Sequence, residues 1–297
     1  MECTPVADVP DDPDVWLYEL KLDGYRCCAV VHGAGSAKLY SRRGNLWTDQ
    51  FLAIREGLAR LERPMVLDGE IVALDRAGRP SFQQLQNRKN SRQPIVFYAF
   101  DITNLDGRDL RHLPLVERKA ILGDVASSFE PPILLTAALE TDLATIIATL
   151  RQHGLEGIVA KRKTSRYAAG VRSPSWLKRR FNETADLAVG GYLGGDDSSF
   201  RLLVGVPEKR GLRFVKKLKN GFTPHMRREL LAVLRTLQTN RNPFYNLPES
   251  KGRSAIDAET MKEVTWVRPA LSVEVEFVEW TSSGKLRHAA FRRVVDA

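Results

Sequence analysis

The 297-residue chain is poor in cysteine, with three in all, two of them adjacent at Cys27 and Cys28. That spacing supplies neither a disulfide framework nor a zinc-ligand set, and it suits ordinary residues of a buried strand in a reducing compartment. No apolar run reaches the length of about eighteen residues that a membrane helix needs, and the start Met1-Glu2-Cys3-Thr4 lacks the basic-then-apolar pattern of a secretory signal. A soluble intracellular protein is therefore expected. Internal repeats and low-complexity tracts are also missing. His32, His112, His153 and His225 have no partners at metal or triad spacing, and they are assigned to structure or surface. Acidic residues are absent where basic ones crowd: residues 161–180 hold eight Lys/Arg and no Asp or Glu, and residues 209–228 again hold eight with none. A solvated helix face mixes its signs, so two acid-free basic stretches point to phosphate. The whole chain agrees, since 45 Lys+Arg against 36 Asp+Glu leave +9 and favour a polyanionic partner.

What is present centres on Lys21-Leu22-Asp23-Gly24-Tyr25-Arg26. Residues 15–20 alternate like a strand, so Lys21 is delivered at a strand end with Gly24 permitting the turn away. Glu19 and Asp23 flank it. A lysine nucleophile must first lose a proton, and from a reference pKa of about 10.4 that costs roughly 4 kcal/mol at physiological pH. Nearby cations or a divalent metal lower the cost. Taken by itself K-x-D-G more often marks a surface lysine beside a turn, and the downstream pattern decides otherwise.

Strands are expected over 27–32 and 37–41, joined by a glycine-containing hairpin loop at 32–36. A helix is expected over 49–61, a strand over 65–74 with Gly69 as a bulge that turns Glu70 toward a ligand, and a short helix over 82–88. Residues 94–102 are apolar on both faces, which suits a central strand. Helices follow over 115–125 and over 141–152, the second with Thr141 as N-cap. From Asp186 the chain turns to short glycine-punctuated strands at 187–192, 200–206 and 212–217. Thr223-Pro224 then opens a helix through Gln238 whose buried face carries Met226, Leu230, Leu234 and Leu237. Strands at 272–280 and 286–294 complete five strands with one helix, the pattern of a small oligonucleotide-binding barrel.

Lys21-Leu22-Asp23-Gly24, Ser41-Arg42-Arg43-Gly44, Asp68-Gly69-Glu70, Phe100-Asp101, Glu156-Gly157-Ile158-Val159-Ala160-Lys161 and Trp176-Leu177-Lys178-Arg179-Arg180 occur in one order. That ordered set resembles the covalent nucleotidyltransferases, among them the ATP-dependent DNA ligases, and is similar to the ligase domain of the bacterial ligase D family of non-homologous end joining. Lys219 to Pro224, Phe277 to Thr281 and Leu286 to Phe291 extend the likeness over the rest of the chain. The resemblance implies an α+β fold: a nucleotidyltransferase (adenylation) domain of antiparallel sheets and helices at 1–183, then an oligonucleotide-binding (OB-fold) β-barrel at 184–297. It implies a DNA ligase that seals 5'-phosphate/3'-hydroxyl nicks through a lysine–AMP intermediate, using ATP and Mg2+, with Mn2+ as the alternative.

By the same resemblance Lys21 is the nucleophile and Glu19 lies beside the adenine. Arg26 and Arg42 hold ribose and phosphates, Phe100 stacks on the base, and Lys161, Lys178 and Arg180 neutralise the phosphates. Glu70 and Glu156 handle ribose or the metal, and Arg287 and His288 touch pyrophosphate or DNA. From the residues alone, Phe100 reads equally well as a core side chain, and Arg162, Lys163 and Arg179 read as solvated charge. Arg180 departs from the K-x-K common among relatives, and Cys3-Thr4-Pro5-Val6 replaces the usual Pro-Met-Leu-Ala entry. The expected molecule is a minimal, monomeric, two-domain ligase of the bacterial cytoplasm acting on nicked or broken duplex DNA, without a membrane and with a Ku-like end-binding protein as a plausible recruiter. An RNA ligase, a capping guanylyltransferase and a catalytically dead nucleic-acid-binding module share parts of this pattern.

Overall fold

The structure, a computed structural model, describes residues 1–297 apart from 34, 89–92, 196, 250–254, 282 and 296–297, so the middle of the expected 32–36 hairpin loop lies outside the described residues. The chain divides into two units, Met1–Phe181 and Asn182–Ala297. No helix among the described residues is long and apolar enough to cross a membrane.

In the first unit the elements run β1 (Glu2–Pro5), β2 (Trp16–Leu20), β3 (Tyr25–Val31), β4 (Ala37–Ser41), α1 (Leu52–Ala59), β5 (Met65–Ala73) and α2 (Phe82–Gln86). They continue with β6 (Ile95–Leu105), β7 (Arg108–Asp109), α3 (Leu115–Ala126), β8 (Ile133–Leu135), α4 (Leu143–Gln152), β9 (Gly157–Arg162) and β10 (Arg172–Arg180). One sheet has the order β1-β10-β9-β2; the other has β4-β3-β5-β6-β7, with β8 also on β6. Pairing is antiparallel except for β1 with β10 and β6 with β8, which are parallel. Leu39, Leu67, Ile71 and Phe97 of the larger sheet bury against Ile54 and Leu58 of α1 and Leu122 of α3. Trp16, Tyr18 and Ile158 of the smaller sheet bury against Ile146 and Leu150 of α4.

Three local features depart from or sharpen the sequence expectation. The helix expected from residue 49 begins as a 3-10 turn, Thr48–Gln50, and breaks at Phe51 (φ −132°, ψ 62°) before α1 starts. Phe51 is 4% exposed and packs edge-on to Trp47 at 5.8 Å, so burial of its ring outweighs helical continuity there. Asp142, not Thr141, caps α4, its carboxylate accepting from Thr145 N–H at 2.8 Å. A charged acceptor next to the positive end of the helix is the stronger cap. The expected bulge is present, with the β5–β6 register shifting between Asp68 and Gly69. A Cβ at Gly69 would lie 2.4 Å from the Phe97 ring, so this close approach requires glycine.

The second unit contains β11 (Glu183–Leu193), β12 (Arg201–Glu208), β13 (Gly211–Leu218), α5 (Pro224–Thr236), α6 (Ala258–Glu263) and β14 (Thr265–Trp266). β15 (Ser272–Phe277), β16 (Glu279–Trp280), β17 (Leu286–Arg287) and β18 (Ala290–Val295) follow. Its main sheet has the order β13-β12-β11-β15-β18 with β14 on β11, while β16 and β17 pair separately. Thr223 caps α5, its hydroxyl accepting from Met226 N–H at 3.2 Å, and Leu230, Leu231 and Leu234 bury on the sheet. The short helix α6 and the division of the 272–280 strand into β15 and β16 were not evident from the periodicity.

A buried ion pair ties α3 to β6 in the first unit. Arg118 and Asp101 are both 0% exposed and meet through two bonds of 2.9 Å, and the guanidinium also donates to the carbonyls of Leu113 at 2.6 Å and Ser165 at 3.0 Å. Arg118→Ala would leave Asp101 buried without its cation, at a cost of about 3–5 kcal/mol. The expected result is a lower urea midpoint, largely restored when Asp101→Asn and Arg118→Met are combined.

Candidate active site

β2 projects Glu19 toward the same side as Lys21, two residues on. Lys21 stays in register with β9 because its N–H donates to Gly157 O at 3.0 Å. The chain then turns at Gly24, where a Cβ would lie 2.2 Å from Ile71 O, so only glycine lets the turn press against β5. This arrangement places the Lys21 ammonium against Glu156, the residue before β9, in a short ion pair. Arg180 Nε holds the other oxygen of Glu156 at 3.0 Å. Burial pushes the Glu156 carboxyl up, helped by Asp23 and opposed by Lys21 and Arg180. Glu70 is raised further, to about 8, chiefly by burial, with Lys21 and Arg26 opposing and Asp68 and Glu156 reinforcing.

Lys21 and Glu70 line a cavity of about 190 Å3 that both sheets of the first unit share. Glu19, Arg26, Arg42, Phe100, Lys161 and Lys178 line it too. Glu156 and Arg180 adjoin it through Lys21. Lys178 has no carboxylate partner among the described residues. Burial lowers its pKa, and the cations Arg180, Lys21 and Arg172 lower it further. An uncompensated cation among cations favours an anionic ligand.

At the opposite end of the charge set, Glu19 is 2% exposed and sits between two lysines. Lys119 of α3 donates to Oε1 at 2.7 Å and to Thr136 O at 3.0 Å. Lys161 Nζ lies 2.5 Å from Oε2 as an ion pair outside hydrogen-bond alignment. Burial alone would raise the Glu19 carboxyl, yet Lys161 and Lys119 outweigh it and hold it below the usual carboxylate range. Lys161 also lies over the rings of Phe100 at 4.4 Å and Trp176 at 4.3 Å. The sequence grouped Lys161 with Lys178 and Arg180; here its ammonium instead engages Glu19 and the aromatic wall.

The two guanidinium groups expected at ribose and phosphate already hold carboxylates. Arg26 forks onto Asp68 at 3.0 and 2.5 Å, and Tyr167 Oη donates to the same carboxylate at 2.7 Å. Arg42 donates to Glu2 through Nε at 2.9 Å. Arg287 and His288 belong to the second unit: Arg287 donates to Glu279 at 2.7 Å, and His288 takes a left-handed turn at φ 52°. Sequence reasoning assigned no role to Lys119, Thr136, Trp176, Asp68, Tyr167 or Glu2. Asp68 and Trp176 lie inside the quoted motifs and could have been found there, whereas Lys119, Thr136 and Tyr167 fall between motifs with no local signal. Among the described residues no three His, Cys, Asp or Glu side chains form a metal cage.

Two sheets sharing a lysine-centred, carboxylate-lined cavity, followed by an OB-type sheet with its helix, define a nucleotidyltransferase fold joined to an OB fold. Residues 3–180 match the ATP dependent DNA ligase domain and residues 197–296 the ATP dependent DNA ligase C terminal region, so the chain belongs to the ATP-dependent DNA ligase family. It is 36% identical over 284 residues to the multifunctional non-homologous end joining DNA repair protein LigD of Mycobacterium tuberculosis, covering 93% of this chain and 36% of that protein. The chain thus spans about a third of the length of the LigD proteins it matches. A mycobacterial DNA ligase D solved with ATP and MES is 33% identical and superposes with a TM-score of 0.56, covering 99% of this chain and 95% of that one. The ligase domain of M. tuberculosis LigD is likewise 33% identical, with a TM-score of 0.58 over 99% and 94% of the two chains.

The raised Glu70 sets a pH dependence for the nucleotide-free protein. A carboxyl at about 8 when folded against 4.5 ordinarily binds more protons in the folded state between those values, so its contribution to stability falls as pH rises through that window. In chelator-containing buffer, Glu70→Gln is expected to flatten this part of the stability–pH curve relative to wild type, read from thermal melts between pH 5 and 8.

Proposed function

We propose that this chain seals 5'-phosphate/3'-hydroxyl nicks or breaks in DNA with ATP, in the repair of broken ends by non-homologous joining. The observation that carries the proposal is Lys21, whose amine stands at the cavity wall against Glu156 with Glu70 and Lys178 nearby. Lys21 Nζ bonds to the α-phosphorus of ATP as the bond to the β-phosphate oxygen breaks, releasing pyrophosphate. AMP then passes to a 5'-phosphate, and the 3'-hydroxyl displaces it to join the strand. Glu156, in contact with Nζ, is the group placed to take the proton that the amine must lose. Phe100 and Glu19 face the base, Arg26 and Arg42 the ribose and phosphates, and Lys178 and Arg180 the charge that develops on phosphate. Lys161 contributes through Glu19 and the aromatic wall.

Two carboxylates rather than a full cage suit Mg2+, which keeps several waters and shares itself with substrate phosphates. Glu70 and Glu156 would hold it, or Mn2+ in its place, and the ion would neutralise phosphate charge. We place the boundary between the adenylation domain and the OB domain at residues 183 and 184. The same reading makes the chain a monomer of the bacterial cytoplasm, served by a Ku-like protein at DNA ends. Arg287 and His288 serve the pyrophosphate end during lysine adenylation.

Intact mass after incubation with ATP and Mg2+ tests the central step. Wild type is expected to gain one AMP and lose it to nicked DNA, while Lys21→Ala gains nothing; a guanylated protein, or no adduct with DNA binding intact, would overturn the reading. Arg287→Ala is expected to slow adenylation about a hundredfold while still sealing pre-adenylated nicks. Equal loss of both steps would remove Arg287 from the first.

A further inference from the structure

Lys119 lies in the second turn of α3, one hundred residues from Glu19 and outside every motif, yet it is one of two ammonium groups holding that carboxylate. The link depends on the chain after β8. Glu19 forms an isolated bridge with Ala138, and Leu139 N–H donates to Tyr18 O at 2.9 Å, so this segment runs beside β2. Thr136 O is thereby presented to the same Lys119 ammonium, at 3.0 Å. Enclosing one carboxylate with two cations is a poor way to stabilise a fold, because desolvating the three charges opposes their attraction. What the arrangement does fix is chemical character and position. One lysine takes Oε1 and the other takes Oε2, so the carboxylate cannot rotate freely.

An ionised carboxylate accepts hydrogen bonds and cannot donate, and each oxygen here retains a lone pair beyond the one facing its lysine. Glu19 lines the cavity together with Phe100 and Trp176, whose rings meet edge-on at 6.1 Å and provide an apolar wall for a heterocycle. Adenine presents an amino donor at its 6-position, whereas guanine presents a carbonyl acceptor there. With the base oriented so that its 6-position meets Glu19, an acceptor there pairs with the amino group of adenine and repels the carbonyl of guanine. We propose that Lys119 is a positioning residue that, by fixing Glu19 as an acceptor-only carboxylate, makes the cavity select adenine over guanine nucleotides. The proposal rests on reading this cavity as the nucleotide site of Lys21.

The test measures ATP and GTP on full-length wild type, Lys119→Met and Lys119→Arg in two ways: the rate of protein–nucleotide adduct formation by intact mass, and equilibrium binding by calorimetry. For Lys119→Met the ratio of kcat/KM for ATP over GTP is expected to fall about tenfold, mainly through KM for ATP, the scale of one good hydrogen bond. Lys119→Arg, which keeps a cation on the carboxylate, is expected to recover most of it. A Lys119→Met protein that weakens with both nucleotides while keeping the wild-type ratio would show a merely structural residue and overturn the proposal. If Lys119→Met fails to fold, Glu19→Gln decides: its amide can donate as well as accept, so the ratio should move toward one, and an unchanged ratio overturns the proposal. Failure of wild type to form any adduct would instead sink the reading of Lys21, and the binding ratios would still judge Lys119.

Discussion

Glu19 pairs with Val159, and Leu17 with Lys161, across β2 and β9, and this register fixes where the charges of the cavity stand. It makes Glu19 and Lys161 diagonal neighbours on one sheet face, within reach of each other. It also carries Lys21, one residue beyond the strand, to the Gly157 carbonyl and so to Glu156. A slip of one residue would send Glu19 and Lys161 to opposite faces and separate Lys21 from Glu156. The register is held by burial: Trp16, Tyr18, Ile158 and Ala160 lie in one core with α4, and none of them could turn outward without exposing it.

The larger sheet makes a second, connected commitment. Asp101 fixes Arg118 at full burial, and Arg118 lies 5.7 Å from the face of Tyr167. Tyr167 donates to Asp68, and Asp68 orients Arg26 over Phe100 at 5.3 Å. Each polar group in this series is hydrogen-bonded, which is the condition under which buried charge can specify a structure. The cavity is therefore braced from one side by sheet register and from the other by a relay of ion pairs.

Much of this was legible in the sequence where the signal is local. Strand alternation at 15–20 and the Thr223-Pro224 helix start required only near neighbours, and the ordered motifs brought Lys21, Glu70 and Lys178 to one cavity. Capping failed at Thr141 because two adjacent residues could each cap and the carboxylate won. The contact of Lys161 with Glu19 was not foreseen because it is set by cross-strand register, which no spacing along the chain reveals. Lys119 and Tyr167 were missed for the same reason: their roles exist only once α3, the segment after β8, and the chain between β9 and β10 have been folded onto β2 and β5. β1, with Pro5 at its end, is a short edge strand whose residues carry no alternation to recognise.

The pairing of Arg26 with Asp68, Arg42 with Glu2 and Lys161 with Glu19 has a consequence for how the cavity takes up a polyphosphate. These cations acquired their counter-charges during folding, from fixed carboxylates, and carry no mobile anion to release to the solvent. An incoming phosphate can engage Arg26 or Arg42 only by exchanging with a tethered competitor, one that cannot diffuse away and returns as the product departs. Lys178, which lacks such a partner among the described residues, is the cation whose solution counter-ion is set free. On the function proposed above, binding of a polyphosphate should consequently vary less with ionic strength than the number of basic side chains around the cavity suggests.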